Sequence, residues 1–515
     1  MFSKILKISI PLLLIGIILI IVYNTYQKTQ DTIASPITII PTNASVIIQL
    51  NDVKNISRSL KLYDICNKLQ HIKQFKVMTQ QADQLSKLFI KNQDVFTVNN
   101  LFVSFHKVSP KKSATLFSTN FKRESVIENK EIVYLFDNDI TTSKYDNKTI
   151  YYSKSLNKYF SFKDNILFYS SNKMLLTDAI RTSNKETNDL FANSLFSECY
   201  KTTRKSADIN LMINYNSLFS VSDIFLNYHH KITRFSDWAA TDLEIKDDAI
   251  LASGLSSLSG FTDNFIDIFS NQKSQKINII NVIPENTTHL FAISFNNPQK
   301  FFNKKNKLLL NKKKHFNWNK YIKWIEEKKN VNYYEFIDEI HNEAGIFNTS
   351  SNLSAENIYT YFNTKESIRA NSFLQNIITY TEEYKGFRIN KIIDKNIVSN
   401  LFGELFKTNN PFFTTINDYF IFGNSISSIE YIIDNYTSKK NLANSVSFKN
   451  AKSYVSKDAN IFLYLNTGKT SNALKNKLID PDLFIHSPDS INKFTAFTLQ
   501  INNSKNGMLH NLCLF

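Results

Sequence analysis

The chain has 515 residues, too many for one hydrophobic core, so we expect two domains of about 200 to 250 residues each. Lys and Arg number 61 against 45 Asp and Glu, a net charge of +16 that fits either an anionic partner or the Lys- and Asn-rich composition of an AT-rich genome. The three cysteines have neither C-x-x-C nor metal-ligand spacing, which excludes a readable zinc ribbon or disulfide scaffold.

Residues 8–23 (ISIPLLLIGIILIIVY) form an uncharged apolar run that predicts one transmembrane helix, so residues 1–23 are expected to be a cytoplasmic tip and anchor. Lys4 and Lys7 precede the run, and the positive-inside rule then places the N-terminus in the cytoplasm. A cleaved signal peptide is the alternative, although no A-x-A closes the run. Residues 24–35 are polar and predict a short tether. We therefore expect a single-pass protein of the cell membrane with a periplasmic or otherwise extracytoplasmic ectodomain.

The next predicted elements form a first unit over residues 36–277. The motif Ile-Pro-Thr-Asn at 40–43 precedes an apolar strand that ends near Asn51. Apolar residues at helical spacing then follow from Val53 to Phe89. The remaining clear signals of this unit are a strand over 101–108, a hairpin over 159–170 and a helix over 174–180.

The same blocks return later in the chain in the same order, which indicates an internal duplication. Their spacing drifts only between 243 and 256 residues, as a duplication with small insertions would produce. The second unit then covers residues 278–515. The recurring pairs include segments 40–43 and 283–286, 159–170 and 412–423, and 208–216 and 458–466.

Each unit mixes helices and strands rather than alternating them strictly, which favours an α+β fold over a doubly wound parallel sheet. The predicted fold is thus two tandem copies of one mixed helix and antiparallel-sheet unit behind a single N-terminal transmembrane helix. The last predicted strand, Met508 to Phe515, reaches the end of the sequence, so the second unit is expected to be truncated there. Strand order, oligomeric state and a Cys66 to Cys199 bridge stay open at this point.

Three spaced patterns carry a family resemblance: I-P-x-N/D before a strand, F-x-x-x-x-D-x-x-x-F, and D-x-N-x-x-x-x-x-N. With the N-terminal anchor, they resemble a bacterial family of unknown function whose members are membrane-anchored and duplicated. The resemblance covers most of residues 36–515. It implies no catalytic residue, and it implies that relatives extend past this C-terminus.

The sequence contains no recognisable catalytic motif. Phosphate loops, H-E-x-x-H and G-x-S-x-G are absent from it, and His341-Asn342-Glu343 lacks the P-C-x-x-C half of a zinc deaminase motif. Four acidic residues fit one exposed helix face, namely Glu335, Asp338, Glu339 and Glu343. We therefore predict no catalytic residue, no metal site and no cofactor.

One basic stretch between residues 300 and 329 offers a candidate binding site. Its lysines alternate with aromatic residues and could bind an anionic lipid or envelope polymer. The alternative is a solvated helix face whose aromatic residues point into the core. The predicted anion-binding residues are Lys304, Lys305, Lys312, Lys313 and Lys314.

These observations predict a non-enzymatic, membrane-anchored binding or scaffolding protein outside the cytoplasm, with no more specific role. Its expected partners are the membrane, an anionic lipid or envelope polymer, and an envelope protein, whereas nucleic acid is not expected. The alternatives are a hydrolase of an envelope polymer and a carrier of a lipid or other apolar ligand.

Overall fold

A computed structural model describes most of the chain after residue 34. The described ranges are 35–70, 100–109, 112–122, 129–185, 189–217, 235–260, 263–311, 315–350, 357–467 and 494–515, together with residues 76, 80, 87, 91, 92, 95 and 96.

The described part of the first half contains ten strands and six helices. The strands are β1 (Ala44–Leu50), β2 (Leu101–Ser109), β3 (Lys112–Asn120), β4 (Ile140–Tyr145), β5 (Lys148–Ser153), β6 (Lys158–Lys163), β7 (Ile166–Ser170), β8 (Ile209–Asn214), β9 (Trp238–Ile245) and β10 (Ile250–Ser256). The helices are α1 (Val53–Leu62), α2 (Asp64–Leu69), α3 (Asn129–Tyr134), α4 (Lys173–Ser183), α5 (Asp189–Ala192) and α6 (Ser194–Tyr200).

The described part of the second half contains twelve strands and seven helices. The strands are β11 (Gln275–Lys276), β12 (His289–Ser294), β13 (Ile340–Asn348), β14 (Ile358–Thr364), β15 (Ile378–Tyr384), β16 (Phe387–Ile392), β17 (Phe412–Ile416), β18 (Tyr419–Gly423), β19 (Asp458–Ala459), β20 (Ile461–Leu465), β21 (Phe497–Ser504) and β22 (Gly507–Leu514). The helices are α7 (Pro298–Asn311), α8 (His315–Lys329), α9 (Tyr333–Glu339), α10 (Ser367–Leu374), α11 (Ile397–Phe402), α12 (Ile426–Thr437) and α13 (Val446–Lys452). Short 3-10 turns include Pro36–Ile39 and Ile279–Asn281.

Local sequence determines where several helices begin. Asp52 precedes α1 and accepts a hydrogen bond from the backbone N–H of Asn55, and Asn172 caps α4 in the same way. Ser425 caps α12 by accepting from the N–H of Ser428. Such side chains satisfy backbone donors that the first helical turn leaves free, typically stabilising a helix by about 1 kcal/mol.

The main sheet contains twenty antiparallel strands, ten from each half. In the first half the strands follow the order β4-β5-β6-β7-β3-β2-β1-β8-β9-β10. In the second half the order is β15-β16-β17-β18-β14-β13-β12-β20-β21-β22. Taken in chain order within each half, the two connectivities are the same. This agreement supports the predicted duplication, whose residue boundaries stay a prediction.

The two half-sheets join through β10 and β22, the last strand of each half. These strands pair antiparallel from Ile250 opposite Leu514 to Ser256 opposite Met508. Because strands at matching places in the two halves lie side by side in opposite directions, an approximate twofold axis passes between them, perpendicular to the sheet. The halves therefore face the same way across the sheet.

Apolar residues cover both faces of the sheet. Phe420 and Phe422 belong to one buried cluster of the second half, and Ile421 between them belongs to another. The first half shows the same alternation, with Phe168 and Leu167 in different clusters. Successive side chains of a strand point to opposite faces, so the sheet forms a middle layer with packed residues on each side.

The predicted fold class is wrong as stated. The described residues are mostly one antiparallel sheet that runs through both halves, rather than two separate α+β units behind an anchor. None of the helices in the described part of the chain is both long and apolar enough to cross a membrane. The single transmembrane helix predicted over residues 8–23 is thus not supported, and that segment lies outside the described residues.

Several local predictions can also be compared with the structure. The hairpins predicted over 159–170 and 412–423 are confirmed as β6 with β7 and β17 with β18, and the C-terminal strand is confirmed as β22. Cys66 and Cys199 are buried and free, so they form no bridge. The exposed helix face predicted to end at Glu343 is wrong, because α9 ends at Glu339 and Glu343 lies buried in β13.

Candidate functional site

The described lysines of the predicted anion-binding stretch are held inside the protein. The Lys304 amine donates to the carbonyl oxygen and the hydroxyl of Ser270. The Lys305 amine is buried, donates to the carbonyl oxygen of Leu401 at 2.5 Å, and has its pKa lowered well below the usual value by burial. The other three lie outside the described residues: Lys312, Lys313 and Lys314. An anion-binding surface here stays a prediction.

A buried trio in the first half has the residue types of an activated nucleophile. Ser104 Oγ lies 2.8 Å from Nε2 of His106, and Asn43 Oδ1 lies 2.8 Å from Nδ1 of the same ring. A hydroxyl, a base and an orienting group in this order occur in acyl-transfer sites. Here Ser104 and His106 have no exposed surface, and burial lowers the pKa of His106 to about 4, too low for a general base near neutral pH. The trio ties β2 to the segment that precedes β1.

A second buried cluster surrounds the carboxyl group of Glu343. Tyr361 donates its hydroxyl to Oε1 at 2.9 Å, while Tyr419 donates to Oε2 at 2.8 Å and the backbone N–H of Asn278 donates to Oε2 at 3.0 Å. Burial raises the pKa of Glu343 to about 7, although these hydrogen bonds favour the charged form. The carboxyl group fixes the segment at Asn278, between the two halves, onto β13, β14 and β18.

The exposed candidate site consists of the two outer edges of the sheet. Among the described strands, β4 and β15 each pair with a single neighbour, β5 and β16 respectively. They occupy matching places at opposite ends of the twenty-strand order. An edge strand presents a row of backbone N–H and C=O groups that can pair with another strand. We refer to β4 and β15 as the terminal edges.

Both terminal edges end in a two-residue hairpin turn. Asp146 and Asn147 connect β4 to β5 with φ of 49° and 59°. Lys385 and Gly386 connect β15 to β16 with φ of 49° and 81°. Positive φ at both central residues characterises the turn whose twist matches a β-hairpin, and Asn and Gly favour it. The two edges are therefore built in the same way from different residues.

A helix at the matching place in each half holds each terminal hairpin. Asn184, which caps the end of α4, donates its amide to the Asp146 carboxylate at 2.8 Å. In the second half, Tyr384 and Lys385 donate to the Asp434 carboxylate of α12 at 3.1 and 2.6 Å. These contacts fix the turn ends of β4 and β15 on the body of the protein, so the edges are presented in a defined orientation.

The terminal edges expose polar side chains on both faces. In β4 the exposed residues are Thr141, Thr142, Ser143 and Lys144. In β15 they are Thr379, Tyr380, Thr381 and Glu383. The sequence prediction named none of these residues. The Asp-Asn and Lys-Gly turn signals between short Thr- and Tyr-rich segments were the available indication.

An antiparallel sheet with two exposed, matching edges defines a class of β-rich protein suited to strand addition rather than to a known chemistry. The family model described as "Protein of unknown function (DUF3352)" matches residues 250–510, just over half of the chain. The chain belongs to this family. The predicted resemblance to a family of unknown function is confirmed at that level. The match begins at β10, the strand through which the halves join.

Similarity to solved structures is slight. Crystal forms IV, III and I of the protein TP0453 share 12% identity with the chain and have TM-scores of 0.26, 0.25 and 0.24. They cover 43%, 48% and 48% of this chain and 80%, 90% and 90% of that protein. Scores this low carry no argument about fold or function. No curated protein matches the chain.

Proposed function

We propose that the protein is a non-enzymatic scaffold that binds partners by strand addition at the two terminal edges. One observation carries the proposal: the same edge, with the same hairpin turn type and the same helix contact, occurs at both ends of one continuous sheet. Strand addition draws its affinity from backbone hydrogen bonds and its selectivity from alternate side chains. Two such edges on one sheet would hold two partners at a fixed separation.

The buried polar clusters support a binding role over the hydrolase alternative. Ser104 and His106 come closest to a nucleophile and base in the described residues, and neither has any exposed surface. A hydrolase needs a nucleophile that its substrate can reach. The polar groups that a partner can reach without rearrangement are those of β4 and β15.

Site-specific photo-crosslinking in cells tests the proposal. A photoreactive amino acid at Thr142 in β4 and, separately, at Thr381 in β15 is expected to give discrete crosslinked species, because both side chains lie exposed on the terminal edges. Both positions are three residues before their turns, so they sample the two ends equally. Blotting for the protein detects the species, and mass spectrometry identifies the crosslinked polypeptide.

Two exposed positions on helices provide matched controls. Met174 in α4 is 69% exposed and Val446 in α13 is 75% exposed, one in each half. We expect no discrete species from either. Equal crosslinking at edges and helices, or none at both edges, would contradict a scaffold that binds through its edges.

A further inference from the structure

The terminal edges carry opposite charges at matching positions. Lys144 is the residue before the last tyrosine of β4, and Glu383 is the residue before the last tyrosine of β15. Lys148, directly opposite that tyrosine in β5, adds a second positive charge to the β4 hairpin. Glu382 adds a second negative charge to β15. The β4 end is thus basic and the β15 end acidic.

Lys144 and Glu383 also lie on the same face of the sheet. The ring of Tyr145 faces Arg181 of α4 at 5.5 Å, and the hydroxyl of Tyr384 bonds to Asp434 of α12. Side chains alternate along a strand, so the residue before each tyrosine points to the opposite face. Since the twofold relation between the halves keeps the faces of the sheet, both charges point the same way.

The directions of the strands suit the pairing of one edge with the other. All pairings of the twenty-strand sheet are antiparallel, so the first and last strands of the order, β4 and β15, run in opposite directions. A second copy displaced along the sheet, without rotation, would therefore place its β15 antiparallel to β4. The pleat and the faces of the sheet would continue from one copy to the next.

We propose that the partner of each terminal edge is a second copy of this chain, with β4 of one molecule adding to β15 of the next. The proposal rests on the edge-binding function proposed above and names its partner. Contacts between β4 and β15 bring Lys144 near Glu383, whereas β4 with β4 or β15 with β15 brings like charges together. Charges on edge strands commonly prevent indiscriminate pairing. Here they exclude the like-edge pairs and permit the unlike one.

Head-to-tail pairing of this kind does not close on itself. Each added copy leaves one free β4 and one free β15, so the interface is heterologous and produces an open series. Assembly should weaken with salt, since the exposed charges contribute to it. The expected species are a ladder of dimers, trimers and larger oligomers rather than a single dimer.

Cysteine crosslinking of the full-length chain tests the pairing. The native Cys66, Cys199 and Cys513 are buried, so a bismaleimide is expected to react chiefly with introduced thiols. Thr142→Cys and Thr381→Cys on one chain should give a ladder on a denaturing gel. Mixing the two single variants should stop at a dimer, and each single variant alone should stay monomeric.

Charge reversal supplies a second measurement that does not depend on crosslinking. Lys144→Glu should weaken self-association, followed by sedimentation velocity, by about fivefold. Adding Glu383→Lys on the same chain should restore it, because each junction then regains an opposite pair. Restored association would exclude a mere folding defect of the first variant.

The outcomes separate this inference from the proposed function. Crosslinking of a single-cysteine variant to itself, or a protein that stays monomeric at all concentrations, would overturn pairing between copies. If Thr142 and Thr381 then still photo-crosslink in cells to a different polypeptide, edge binding stands and only the identity of the partner fails. Silence in both experiments would overturn both proposals.

Discussion

Replacing Gly254 by valine is expected to separate the two half-sheets or prevent their folding. Gly254 lies in β10 opposite Thr241 on one side and His510 on the other. A Cβ at this position would lie 2.0 Å from the carbonyl oxygen of Ala240 and 2.8 Å from Nε2 of His510. Since one of these neighbours is backbone, the strands must shift, and we expect a loss of stability of about 3 kcal/mol or more.

The ring of His510 explains why no side chain is tolerated there. Its Nε2 bonds to Thr241 Oγ1 at 2.5 Å and its Nδ1 to Ser256 Oγ at 3.1 Å, so the ring lies across the glycine. It is a contact of the second half with two strands of the first. Burial lowers the pKa of His510 to about 4, so the ring is neutral at physiological pH.

Thermal unfolding and hydrogen exchange of β10 and β22 would measure the effect of Gly254→Val. Ser253→Ala at the adjacent, partly exposed position is the matched control, with little change expected because it removes one small group. An unfolding midpoint for Gly254→Val within about a degree of the wild type, with exchange in β22 unchanged, would refute this account of the junction.

Local features of the fold were predictable because they depend on neighbouring residues. The hairpins of 159–170 and 412–423 follow from alternating apolar residues around two-residue turns. The repeated order of blocks indicated two similar halves, and their strand orders agree. The pairing of β10 with β22 was not predictable, because alternation along a strand does not identify its neighbour across more than 250 residues.

Glu343 shows why a charge pattern can mislead. With Glu335, Asp338 and Glu339 it fits a helical spacing, but α9 ends at Glu339 and a strand begins at Ile340. The alternative signal was the apolar run around Gly345, typical of a buried strand. Only the folded structure brings Tyr361 and Tyr419, from two other strands, to the carboxyl group. Tertiary partners of this kind leave no local trace in the sequence.

Stability that depends on Glu343 is expected to fall as pH rises from about 4.5 to about 7. In the folded protein the pKa is raised to about 7 by burial, whereas the ordinary value is 4.5. Between these values the folded state keeps a proton that the unfolded chain releases, so a higher pH favours unfolding. The difference of about 2.5 units corresponds to about 3 kcal/mol once the pH is above 7.

Glu343→Gln should remove this dependence while keeping the cluster. The amide oxygen can accept from the N–H of Asn278 and the hydroxyl of Tyr419, and the amide nitrogen can donate to the hydroxyl of Tyr361. Glutamine thus imitates the protonated acid. We expect the variant to match the wild type near pH 5 and to unfold at a higher temperature near pH 8.

The comparison of the two proteins isolates Glu343 from other buried titrating groups. Burial lowers the pKa of His106, His289 and His510 to about 4, so their contribution to stability is lost as pH falls below 6.5, the opposite direction. All three are present in both proteins and cancel in the difference between unfolding midpoints. Glu366→Gln, at an exposed carboxylate, controls for loss of one negative charge. A difference between wild type and Glu343→Gln that is the same at pH 5 and pH 8 would show that the buried carboxyl group does not titrate in this range.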